Sequence, residues 1–162
     1  MKHFLAGFQR IENAYDRSDS GKSGLTCITH VFEGCPGVRL NRDSWMSGEA
    51  GIFFSVWADR NSESSAQLHY NIHALKLRQL QSYAITSRNF AEQFRNNFEA
   101  VRSSWPNVRV DYGPLNLMQG WIEYRQTFFE TDVLRLLHQF SAISPIIDRL
   151  LEERIAPVRR RR

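Results

Sequence analysis

A chain of 162 residues with 21 basic and 17 acidic side chains, 42% hydrophobic and 12% aromatic positions has the make-up of one globular domain. At that length it buries about 70% of the surface of its unfolded form without disulfides or a structural metal, which excludes collagen-like, disordered and small disulfide-rich classes. The net charge of +4 resides in the terminal run Arg159, Arg160, Arg161 and Arg162; without those four, 17 basic residues balance 17 acidic ones, so the body is no basic nucleic-acid module.

In chain order, Phe4, Leu5, Phe8, Ile11, Ala14 and Tyr15 recur at helical spacing and predict an amphipathic helix over 3–15. The Ser-, Asp- and Gly-rich stretch 16–24 breaks it. A strand is predicted over 25–32, closed by a turn at 34–37, with a short return strand over 38–40 and a loop over 41–50. Residues 52–58 are nearly all apolar, with Ile52, Phe54 and Val56 on one face and Phe53 and Trp57 on the other. That is the pattern of a central strand covered on both sides. After a polar loop at 61–65, Leu68, Tyr70, Ile72 and Ala74 alternate with His69, Asn71 and His73, as in a strand with one buried and one polar face. Residues 81–85 extend it or form another short piece.

Ser87 is a good N-cap for a second helix over 88–103, striped by Phe90, Ala91, Phe94, Phe98 and Val101 and ended by Trp105 and Pro106. Strands are predicted over 108–112 and 121–129, either side of a Gly113-Pro114 turn. Thr131 or Asp132 caps a long third helix running to about Ile155, with a kink or restart at Ser144-Pro145. Strands joined by short polar turns predict an α+β class: a mainly antiparallel sheet of about five to six strands, with an N-terminal, a middle and a long C-terminal helix packed on it. One domain is expected over 1–156, followed by a basic tail over 157–162.

The chemistry-bearing motifs are few. Gly21-Lys22-Ser23 ends like a phosphate-binding loop, but Asp16 stands where its first glycine belongs, and a helix precedes it where a strand is required. His69 and His73 share a face of their strand, and with Asp59 or Glu63 across a loop they form the weak candidate for a metal or an acid–base pair. Asp43, Asp59 and Lys76 are the best components of a metal-dependent nuclease, yet His73 and Ala74 occupy the places where the acid before the lysine belongs. Glu123 and Arg125 read as a surface pair. No Gly-x-Ser-x-Gly elbow is present, and the spacing of Cys27 and His30 sends them to opposite strand faces. Cys27 and Cys35 are expected to be reduced thiols.

The strongest periodic signal is the third helix, where Val133, Leu136, Leu137, Phe140, Ile143, Ile147, Leu150 and Leu151 form a band wider than one sheet face needs. Part of it, Ile147, Leu150 and Leu151, is read as a dimer or partner surface, together with Trp45 in a polar loop. The element order is similar to that of small dimeric secretion chaperones, with no shared motif, and those would be acidic where this body is neutral. The expectation is a non-enzymatic protein-interaction module without cofactor, homodimeric, cytoplasmic and not membrane-spanning, that offers a sheet face or helix groove to a protein partner. The alternative is a nucleic-acid-associated or degenerate nuclease-like protein using Arg159 to Arg162.

Overall fold

A computed structural model describes residues 1–18 and 22–157. Helix α1 (Lys2–Asp16) leads into strand β1 (Thr26–Phe32) and its hairpin partner β2 (Cys35–Asn41). A single 3-10 turn, Asp43–Trp45, precedes the two-residue β3 (Met46–Ser47) and the long β4 (Ala50–Trp57). The four-residue α2 (Ser62–Ser65), β5 (Gln67–Leu75), α3 (Ser87–Phe98), β6 (Asn116–Glu123) and α4 (Phe129–Glu152) complete the chain. The main sheet runs β1-β2-β4-β5-β6, antiparallel throughout, and β3 pairs with β4. The α+β class and the helix placement are as expected.

Alternation decides which face is covered. Cys27, Val38, Leu40, Ile52, Phe54, Val56, Leu68, Tyr70 and Ile72 all point into one core with Phe4, Phe8 and Ile11 of α1, Phe90, Phe94 and Phe98 of α3, and the stripe of α4. At its centre Phe54 stacks on Phe140, with ring centroids 4.1 Å apart.

Four expectations are corrected, each for a local reason. The β1–β2 turn sits at Glu33 and Gly34, both with positive φ (50° and 80°), which suits the twist of a two-residue hairpin. Pro36 therefore falls inside β2, where it is tolerated because the ladder to β4 ends there: its carbonyl accepts from Ala58 and no partner needs its missing N–H. Residues 108–112 form only one bridge, Arg109 with Gln119, because Arg95 takes the carbonyls of Tyr112, Gly113, Asn116 and Leu117 that a ladder would use. The last strand ends at Glu123, since Phe129 starts α4 and packs edge-on against Phe4 and Phe8 at 5.6 and 5.1 Å. Arg125 pairs with Asp132 rather than with Glu123.

Helix α3 begins at Ser87 with Thr86 at the N-cap and stops at Phe98, which leaves Val101 exposed. Helix α4 continues through Pro145. Proline there deprives the Ser141 carbonyl of its helical donor, and the Ser144 hydroxyl supplies one at 2.8 Å.

Candidate functional site

The covered face of the sheet leaves the other open, and no helix of the described residues joins the core from that side. Three rows of side chains cross it. His30, Gly37, Trp57, His69 and Trp121 lie in register in the first, and Ile28, Arg39, Ser55, Asn71 and Gln119 in the second. Phe53 and His73 face each other in the third. Phe53 and Trp57, expected under a second layer, are instead half-buried by their own neighbours: Phe53 lies 4.7 Å from His73 and 5.6 Å from the Arg39 guanidinium, and Trp57 lies 5.5 Å from His69. Gly37 is what lets Trp57 sit low, because a β-carbon there would strike the Val56 carbonyl and the Trp57 side chain.

Small polar residues form the floor. Ser55 and Asn71 are 3% and 2% exposed, and Ser55 Oγ donates to Asn71 Oδ1 at 2.6 Å. Asn71 Nδ2 stands 3.1 Å from His73 Nε2. Burial, and then the neighbouring His30, hold the His73 imidazole below its usual range; burial and then Arg39 do the same to His30. Both rings are therefore neutral near pH 7. The unfolded chain binds protons from about pH 6.5 downward that the folded chain refuses, so stability falls as pH drops below that value and levels off below the folded pKa values. Melting temperatures taken between about pH 7 and pH 5 are expected to decline, and a His30→Gln, His73→Gln double variant to decline less.

Both edges of the sheet are partly occupied. On β1, Glu12 accepts the outward N–H of Thr29 at 2.7 Å and the Thr29 hydroxyl donates to the Phe8 carbonyl at 3.2 Å. Arg109 exchanges two backbone bonds with Gln119 on β6, and Asn107 Nδ2 donates to the Trp121 carbonyl. Strand addition is thus opposed at the middle of β1 and along β6.

The residues expected to act do not converge. Nε2 of His69 pairs with Asp59 Oδ2 at 3.3 Å, whereas His73 is four residues along the strand, about 13 Å away. One ion cannot span that distance, and no group of three or more potential ligands forms among the described residues. Asp59 follows the end of β4 and Lys76 the end of β5, so they lie at opposite ends of the hairpin; Lys76 pairs with Glu49 at 2.7 Å, and Asp43 sits in the 3-10 turn after β2. Cys27 and Cys35 are free, and the hairpin register sets them five residues apart along the strands, about 17 Å, too far for a bridge. Burial pushes the Cys27 thiol up to about 12, which leaves it inert.

Trp45, Ile147, Leu150 and Leu151 are corrected as a partner surface: each is 3% exposed or less within the single chain. The width of the α4 band is needed because α1, α3 and the sheet all press on it. Trp45 packs edge-on to Phe54, and its Nε1 donates to Asp148 Oδ1 at 2.8 Å, where Arg42 also binds both carboxylate oxygens at 3.1 Å. Arg159 to Arg162 lie outside the described residues, as does Gly21 of the Gly-Lys-Ser run. No helix of the described residues is long and apolar enough to cross a membrane.

Sequence reasoning missed Arg39, Phe53 and Trp121 as companions of the two histidines. The signal that could have found them was the polar phase of β5 extended onto its neighbours, which requires the strand order. No family model, curated protein or solved structure matches the chain.

Proposed function

We propose that the chain is a non-enzymatic protein-interaction module that receives its partner on the open face of the sheet. One observation carries the reading: Phe53, Trp57 and Trp121 stand half-exposed on a face that no helix of the described residues covers, while side chains and a backbone bridge occupy part of each sheet edge. Aromatic anchors around buried polar groups are the composition of binding hot spots. With the α4 band occupied internally, the argument for a homodimer falls away, and light scattering is expected to give the mass of one chain. Two free thiols accord with a reducing cytoplasm.

The test is recovery of the tagged full chain from its own cells. A stoichiometric protein partner is expected, lost with Trp57→Ala, Trp121→Ala and retained with Ala142→Glu on the exposed flank of α4. A partner lost only with Ala142→Glu moves the site to the helix layer. Absence of any stoichiometric partner overturns the reading.

A further inference from the structure

Five arginines of the described residues are half-buried: Arg39, Arg42, Arg95, Arg102 and Arg154. Arg42 binds Asp148, Arg95 holds four backbone carbonyls, Arg102 pairs with Glu99, and Arg154 reaches Asn89, Glu153 and the Leu150 carbonyl. Arg39 alone has no hydrogen bond or ion pair, and its Nε is buried without an acceptor. The nearby Nδ1 of His30 is buried and unpartnered as well. Leaving a cation partly desolvated and unpaired is costly, and native structures resolve such groups with a partner. Arg39 lies in the middle row of the sheet, between Ile28 and Ser55, over the ring of Phe53.

We propose that the centre of the open sheet face is a carboxylate-binding site, in which the Arg39 guanidinium, framed by Phe53, His30 and His73, receives an aspartate or glutamate side chain of a protein partner. A planar guanidinium matches a carboxylate with two parallel hydrogen bonds. With both histidines neutral, the site carries one positive charge, which complements a monoanion better than a phosphate. Phe53 and Trp57 beside it suit apolar residues flanking the acid. A second copy of this chain is a poor occupant, because a two-fold axis through the face would set two guanidiniums against each other.

This inference rests on the interaction-module reading, and the experiment separates the two. The full chain is titrated with a capped pentapeptide holding one aspartate between two phenylalanines, and with its asparagine counterpart, while proton–nitrogen spectra follow the arginine Nε–Hε resonances. The Arg39 resonance is expected to shift saturably, and the aspartate peptide to bind about tenfold tighter. Arg39→Gln and Arg39→Met should abolish that preference with the melting temperature unchanged, because Arg39 makes no hydrogen bond or ion pair within the chain. Equal binding of the two peptides overturns the proposal, as does a lower melting temperature in both variants, which would make Arg39 structural. Inorganic phosphate or a short single-stranded DNA oligomer moving the same resonance at lower concentration assigns the site to phosphates and overturns it too. If Arg39→Gln keeps the cellular partner that Trp57→Ala, Trp121→Ala loses, the carboxylate site fails and the interaction module stands.

Discussion

Phe140→Ala is expected to lower the unfolding free energy by about 3–5 kcal/mol. Phe140 is fully buried on α4 and touches three aromatic neighbours that come from three different parts of the chain: Phe54 at 4.1 Å, Trp105 at 5.0 Å and Tyr70 at 6.1 Å. Rings from a central strand, the post-α3 loop and the neighbouring strand cannot all move inward to fill the space, so most of the cavity persists. Domains of this size are stable by about 5–15 kcal/mol, and each kcal/mol is worth about 2–4 °C, so the melting temperature should fall by about 6–20 °C. Urea unfolding of the two proteins checks it. Phe140→Leu should lose far less, and a loss equal to that of the alanine variant would mean that ring stacking rather than volume matters there.

A larger effect is expected from Leu150→Asp. Leu150 is 3% exposed, in the last turns of α4, against the core built with α3. A carboxylate placed there loses its hydration, and Arg154, the cation one turn along, is already engaged by the Leu150 carbonyl and Asn89, so the penalty is several kcal/mol and approaches the whole stability of the domain. Loss of the cooperative thermal transition and of near-ultraviolet circular dichroism is the expected result. Ala142→Glu, on the exposed flank of the same helix, should change stability by less than about 0.5 kcal/mol. A folded Leu150→Asp chain that runs smaller than the parent would restore the dimer seam that the apolar band implied.

The difference between those two helix positions explains what the sequence reveals and what it hides. The period of the α4 band locates the helix and its inward stripe, but its width alone does not say how many elements press on it. Trp45 shows the same limit: a polar loop of Asn41, Arg42, Asp43 and Ser44 looks solvent-bound until Asp148, more than one hundred residues later, gathers Arg42 and the indole. Strand alternation was more informative. It placed Cys27 and His30 on opposite faces and His69, Asn71 and His73 on one, as observed. Yet the Arg39 cluster depends on which strands are neighbours, and no pattern within β2 announces that its one arginine will sit between Ile28 and Ser55. The unmade strand at 108–112 fails for a related reason, since the Arg95 side chain from α3 claims carbonyls that local pattern assigns to a ladder.

The clamp of Trp45 and Arg42 on Asp148 has a consequence for synthesis. Asp148 sits near the end of α4, so this tie between the early hairpin and that helix forms only once α4 has emerged from the ribosome. Until then the helix-facing side of the sheet, including Phe54 and Tyr70, lacks Phe140 as its lid. A nascent chain stalled before α4 therefore displays a broad aromatic surface, which makes it a substrate for holdase chaperones during translation and prone to aggregate when α4 is delayed or truncated.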